Sequence, residues 1–286
     1  MNLVDWDLAV TVGARVAGPG PDVSPDEAAA AVLELREGAE RSTPLVRDFT
    51  GLHTQAGTAP VLVVDRRGWL RANADGFAKI LSPVVDRLVE KKGPPSAFAG
   101  AVGSRVTGAE VGLMLGFLSG KVLGQFDPFH DPHGRLLLVA PNIVHVEREI
   151  DADPTDFRLW VCLHEETHRV QFTANPWLGE HLLAQMHAVA ESIEPSALLD
   201  GPRRGADQIR KKFNQRRQGV GTLDKLLRRI LGLDAKMAQY RDGAVFVRHV
   251  VDKVGMEQFN AVWTGPDTLP SKAEITDPDA WVARVL

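Results

Sequence analysis

Glycine recurs at every fourth position from 108 to 124: Gly108, Gly112, Gly116, Gly120 and Gly124. Val111, Leu113, Met114, Leu115, Phe117, Leu118, Val122 and Leu123 fill the spaces between them. On a helix, a spacing of four makes a narrow, slowly turning stripe that carries no side chains. Each helix-interior glycine costs about 1 kcal/mol relative to alanine. A chain that keeps so many in one segment needs a compensating contact, and close approach of a second helix backbone supplies one. The pattern therefore predicts a buried helix over 108–124, with Gly112, Gly116 and Gly120 turned to a neighbouring helix. The G-x-x-x-G spacing also occurs in membrane helices. Here the apolar run stops at Lys121, short of the roughly 20 residues that a crossing needs, so a membrane partner is not expected.

The natural neighbour to consider is the segment 156–172, which reads as a second helix with an apolar body: Leu159, Trp160, Val161, Leu163, Val170 and Phe172. It contains His164-Glu165-Glu166-Thr167-His168, an H-E-x-x-H motif. Residues four apart share a helix face, so His164 and His168 present two imidazoles to one point. That point suits Zn²⁺, which binds neutral imidazole at roughly 2.0–2.1 Å. Glu165 lies about 100° around the axis from His164. It can reach a water at the metal without being a ligand itself, which is the arrangement of a zinc hydrolase. A buried helix has little other reason to carry two histidines and a glutamate. Glu166 and Arg169 either face solvent or pair with each other at i, i+3.

A catalytic zinc takes three protein ligands and a water. After the turn Thr173-Ala174-Asn175-Pro176, a further helix is predicted from Trp177 or Leu178 to about Ile193. A connector this short predicts antiparallel neighbours, with His181 level with His168. His181 is the first candidate for the third ligand, with Glu180 and Glu191 as alternatives. His130 and His133 read as loop residues and His145 as a surface position.

The remaining segments are plainer. Ser24-Pro25-Asp26-Glu27 reads as a helix start, with a capping serine, proline at the first helical position and acids in the first turn. The segment Pro60-VLVVDRRGWL suggests a short buried strand and then a turn. Ala72 to Lys92 reads as an amphipathic helix interrupted or started near Pro83. Gly134 to Ala140 reads as a strand ended by Pro141-Asn142, and in zinc proteases a strand near the metal helix holds an extended substrate by strand addition. Asn142 to Ile150 is read as helix. Another helix is expected over about 223–254, broken at Gly232 and Gly243, followed by a tail that wraps the domain through Trp263 and Trp281.

The chain has 286 residues, 44% of them hydrophobic, enough for one large domain or two small ones. A single domain over 1–286 is expected, with 1–150 and 151–286 as candidate sub-lobes. The net charge of −4 supplies no basic field for nucleic acid or acidic lipid. The basic stretch 200–218 has only Phe213 as a stacking platform and reads as a solvated segment rather than a nucleic-acid site. Cys162 is the only cysteine. It excludes a disulfide within the chain, fits a reducing cytoplasm, and reads as a small buried hydrophobe. The N-terminus MNLVDWDLAV has neither the basic region nor the apolar core of a signal peptide.

Several stretches together resemble one known family. They are Val4-DWDLAV, Gly108-AEVGLMLGFLSGKVLGQFDPF, Leu137-LVAPNIVHVERE, Phe157-RLWVCLHEETHRVQFTANPWLGEHL and Trp263-TGPDTLPSKAEITDPDAWVARV. They are similar to the actinobacterial zincin-like hydrolases (zincin-like metallopeptidase type 2), in the branch associated with coenzyme F420 biosynthesis. The resemblance implies a predominantly helical α+β fold of the zincin-like metallopeptidase type, with a small sheet beside the HExxH helix. It also implies a Zn²⁺ site and a cytoplasmic setting. Two positions depart from the family pattern: Glu166, where relatives more often carry an apolar residue, and Ala244 in Tyr240-Arg241-Asp242-Gly243-Ala244, where an acid is usual. Two functions are therefore compatible with the sequence. One is a zinc-dependent hydrolase, most simply a metallopeptidase, acting on a peptide or small molecule. The other is a catalytically inactive zincin-fold binding or scaffold protein linked to coenzyme F420 metabolism.

Overall fold

The computed structural model describes residues 3–53, 59–92, 97–130, 132–192 and 233–286. By internal packing the chain divides into two units, Met1–Leu199 and Asp200–Leu286. The basic stretch 200–218 and positions 223–232 of the expected last helix lie outside the described residues.

The first unit is mostly helical with one small sheet. Its helices are α1 (Trp6–Ala17), α2 (Pro25–Thr50), α3 (Arg66–Lys92), α4 (Ala97–Ser119), α5 (Ala140–Glu149), α6 (Pro154–Ala174) and α7 (Trp177–Ser192). Strands β1 (Val61–Val64), β2 (Gly124–Asp127) and β3 (Arg135–Val139) form a sheet in the order β1-β3-β2. β1 runs parallel to β3 with Val61 opposite Leu136, and β2 runs antiparallel with Gly124 opposite Leu138. This is the small-sheet α+β arrangement expected from the sequence.

Local sequence sets the helix ends. The Ser24 hydroxyl accepts a hydrogen bond from Glu27 N at 3.1 Å with Pro25 at the first helical position, as the capping signature predicts. Asp153 caps α6 in the same way, accepting from Asp156 N at 3.0 Å ahead of Pro154. Gly51 ends α2 at φ 68°, its N–H donating to Arg47 O, a left-handed cap that favours glycine. The turn expected after β1 is absent. Asp65 accepts from Gly68 N at 2.6 Å and starts α3 at once, and α3 continues through Pro83 rather than starting there.

β3 is the centre of the fold. Leu138 packs with Leu35, Ala39, Ile143, Val161 and Cys162 on one face of the sheet. Leu137 and Val139 pack with Trp69, Leu70, Ala72 and Leu115 on the other. A strand covered on both faces needs no polar alternation, which explains the uniform run Leu136-Leu137-Leu138-Val139. Because β3 is paired on both sides, it has no free edge. The expectation that this strand would receive an added substrate strand is corrected: the edge strand beside α6 is β2. Its sequence, Gly124-Gln125-Phe126-Asp127, has little strand character.

The glycine stripe meets α1, not the histidine helix. A Cβ on Gly108 would lie 2.4 Å from Asp5 O, one on Gly112 2.4 Å from Ala9 O, and one on Gly116 2.6 Å from Gly13 O. The matched steps of four, 5-9-13 against 108-112-116, bring two backbones together along parallel ridges. Gly120 does not take part, because α4 ends at Ser119 and a Cβ there would have nothing nearer than 3.8 Å. Gly124 belongs to β2 and serves a different contact. α6 instead lies against α2, where Gly38 makes room for the Cys162 side chain at 3.2 Å.

The second unit is described from α8 (Leu233–Phe259) onward, with two short 3-10 turns, α9 (Lys272–Thr276) and α10 (Pro278–Val285). α8 passes through Gly243 without a break and is kinked instead at Gly255, φ 83°. The C-terminal tail does not wrap as an extended strap. It folds into helices around a core of Phe246, Val250, Phe259, Val262 and Trp281, with Trp263 packed at its margin. Trp281 Nε1 donates to Thr268 O at 2.8 Å. Among the described residues no helix is long and apolar enough to cross a membrane.

Candidate metal centre

α6 carries a ladder of rings along one face. Phe157 and Trp160 stack at 6.0 Å and 21°, Trp160 and His164 at 5.8 Å and 27°, and His164 and His168 meet edge to face at 5.1 Å. The i, i+4 spacing of 160, 164 and 168 produces this alignment. The two imidazoles are therefore together, as the motif predicts. His164 is open to solvent. Partial desolvation and the neighbouring His168 hold its pKa below the usual histidine value, which favours the neutral, metal-binding form. His168 Nδ1 lies 3.3 Å from Gln171 Oε1, an outer contact of the kind that orients a ligand ring. In the sequence Trp160 reads only as an apolar residue of the helix body. It is 56% exposed and forms one wall beside the histidines. Its spacing of four from His164 was the available signal.

Glu165, the next residue, is buried where His164 is exposed. Only 7% of its surface is exposed, and its side chain lies against Gly124 of β2, where an added Cβ would fall 2.5 Å from Cγ. Among the described residues no donor hydrogen-bonds its carboxylate. Burial pushes its pKa up to about 7, since desolvation penalises the charged form. Such a group can gain and lose a proton near neutrality, the property a general base needs.

The neighbouring Glu166 has a different role. It is fully buried and accepts Arg169 Nε at 2.7 Å and Nη2 at 3.0 Å. Arg169 also donates to Ala59 O at 2.6 Å and Thr43 Oγ1 at 2.9 Å. The pair forms, and neither member faces solvent. It ties α6 to α2 and to Ala59, two residues ahead of β1, so the departure at Glu166 is structural. Arg158 joins Glu147 and Glu34 one layer further along. Cys162 is fully buried, its thiol directed to Leu35 O at 3.5 Å, and burial pushes its pKa to about 12. It is the inert small hydrophobe that the sequence indicates.

The third ligand is less simply placed. α7 begins at Trp177 as expected, but it docks on α3 rather than running back along α6. His187 Nε2 donates to Ile80 O at 3.2 Å there. The other faces of α6 are occupied by α2, α5 and the sheet, and the turn at Asn175-Pro176 carries the chain away. His181 stands edge-on to Trp177 at 6.0 Å, and Glu180 beside it is exposed. Glu191 is in the last turn of α7, and its side chain lies outside the described residues. Among the described residues, no three His, Cys, Asp or Glu side chains converge closely enough to hold a metal ion. His145 lies at the surface, 3.8 Å from Glu149; His133 is exposed and His130 half-buried.

The donor chemistry nevertheless fits a divalent metal. Two imidazoles share one open helix face, one of them held towards its neutral form, beside a buried carboxylate with no partner of its own. The comparisons agree with this fit. A solved structure from Chloroflexus aurantiacus, described as a candidate hydrolase with a novel fold, is similar at 28% identity and a TM-score of 0.68, over 98% of each chain. No curated protein matches this chain. The family profile of zincin-like metallopeptidases matches residues 4–201 and 203–282. Matched over nearly its whole length, the chain belongs to the zincin-like metallopeptidase family.

Proposed function

We propose that this protein is a zinc-dependent hydrolase that cleaves peptide bonds, with His164 and His168 as metal ligands and Glu165 as general base. The observation that carries the reading is the pairing on α6 of two adjacent imidazoles, one exposed and one half-buried, with a buried, unpartnered carboxylate one residue from the first. His181 is the first choice for the third ligand, with Glu180 and Glu191 as alternatives. Reaching the pair from α7 requires that helix to shift towards α6. When bound, the metal makes water acidic at neutral pH and polarises the scissile carbonyl. Glu165 accepts the proton from that water at a carboxylate oxygen and returns it to the leaving amine. Its low-dielectric seat against β2 keeps it basic enough for the first step and acidic enough for the second. The exposed Trp160 ring offers an apolar wall for a substrate side chain. The free edge of β2 offers backbone groups for an extended chain. The buried free thiol and the sequence resemblance support a cytoplasmic setting and a link to coenzyme F420 metabolism.

One observation favours a second reading, a non-catalytic zincin-fold binding or scaffold protein: the absence of three converging ligands among the described residues. Metal analysis of purified protein, with a quenched fluorogenic peptide library, separates the two. The hydrolase reading expects about one zinc per chain and measurable cleavage. Glu165→Gln should keep the metal and lose activity by roughly 10²–10⁴-fold. Protein with no stoichiometric transition metal would rule the hydrolase out.

A further inference from the structure

We propose that Gly124 is a positioning residue for Glu165: the missing side chain on this edge-strand residue is the seat of the carboxylate. The inference rests on the assignment of Glu165 as the base. A Cβ at Gly124 would lie 2.5 Å from Glu165 Cγ, 2.7 Å from Cδ and 2.9 Å from Oε1. All three atoms belong to this one side chain. At Gly108, Gly112 and Gly116 the nearest atom is instead a backbone carbonyl oxygen of α1 or of its capping Asp5. Substitution at 124 therefore acts first on Glu165.

The strand cannot move aside to relieve the contact. Side chains alternate along β2, so Gly124 and Phe126 both face α6. Phe126 packs on Phe172 at 5.6 Å, almost two helical turns beyond Glu165. On the opposite face Gln125 and Asn73 of α3 exchange amide hydrogen bonds at 3.1 and 3.2 Å. Asn73 is itself held by Trp69 O at 3.0 Å. The ladder to β3 places Gly124 opposite Leu138, and Val139 N donates to Leu123 O at 2.8 Å. A methyl group at 124 meets a fixed strand on one side and a fixed helix on the other. The Glu165 side chain is what must leave.

A double-mutant cycle tests the contact without reference to activity. Gly124→Ala is expected to lower the urea midpoint of the otherwise wild-type protein and to have little or no effect in an E165A background. An equal loss in both backgrounds overturns the proposal. If G124A does not fold, folding of the G124A/E165A protein supports the proposal and its failure to fold overturns it. The catalytic consequence is read on cobalt-loaded protein titrated with acetohydroxamate, followed by visible absorption. G124A should weaken acetohydroxamate about tenfold, as E165Q should, through loss of one charge-assisted hydrogen bond, with cobalt stoichiometry unchanged. A glycine of purely structural importance leaves that affinity at the wild-type value, which overturns the positioning role. If E165Q also leaves it unchanged, Glu165 is not the base and the role falls with it. If neither zinc nor cobalt binds, the hydrolase reading fails on its own account and takes the positioning role with it, while the urea cycle still decides the contact.

Discussion

Gly116→Ala is the substitution whose outcome follows most directly from the packing. In an exposed helix, replacing glycine by alanine stabilises by about 1 kcal/mol. At Gly116 the added methyl would lie 2.6 Å from Gly13 O, 2.9 Å from Gly13 Cα and 2.9 Å from Val16 Cβ. Two of these atoms are backbone, so no rotamer change relieves the clash and α1 has to be pushed away. Overpacking of this kind costs about 1–3 kcal/mol. A rigid neighbour argues for the upper end, leaving a net loss of about 2 kcal/mol. For a domain of this size that is a fall in Tm of about 4–8 °C. The same helix contains its own control. Gly103 lies within α4 with nothing within 4 Å of its would-be Cβ. Gly103→Ala should raise Tm by about 2–4 °C. Thermal unfolding of the two variants by circular dichroism, under one buffer and scan rate, measures the contrast. A Tm for Gly116→Ala that rises alongside that of Gly103→Ala would refute the argument that the stripe is a backbone contact.

Three further outcomes are expected. Arg169→Met leaves the fully buried Glu166 charged and unpaired, and should destabilise by about 3–5 kcal/mol in urea unfolding; a loss below 1 kcal/mol would show that the pair does not tie α6 to α2. Cys162, with its thiol pushed to about 12 by burial, should be unreactive towards Ellman's reagent in the folded protein and titrate as one thiol in denaturant; one equivalent of fast reaction without denaturant contradicts its placement. Trp160→Ala removes an exposed ring stacked on His164, so it should change the preference for apolar residues in a peptide library by several-fold while leaving zinc content intact. An unchanged preference profile removes Trp160 from the substrate site.

Much of the candidate site was legible because it is local. His164, Glu165 and His168 lie within five residues of one helix, and the 3.6-residue period alone decides which of them share a face. The same holds for the Ser24 cap and for the long apolar run of β3. The helix read over 142–150, which forms as α5 over 140–149, and the start of α7 at Trp177 were likewise readable from short-range pattern. The family motifs spread along the chain then indicated a zincin-like helical α+β fold before any contact was known.

What the sequence could not decide is set by contacts between distant residues. The glycine stripe announces that some backbone must come close, but its spacing carries no address. α1, about a hundred residues earlier, fits because Asp5, Ala9 and Gly13 repeat the same step of four. β2 escaped notice because Gly124 and Asp127 are poor strand formers, and it exists through its ladder to β3 and its contacts with α3 and α6. The direction of α7 depended on its docking on α3 rather than α6, through contacts such as His187 with Ile80 O about a hundred residues away. Sequence by itself therefore determined the identity of the candidate site groups and the helix that carries them. Only the tertiary structure decided that Glu165 would be buried beside a glycine while His164 stays open to solvent and His168 half-buried. Burial depends on neighbours brought in from elsewhere in the chain, and no periodicity within a single helix specifies them.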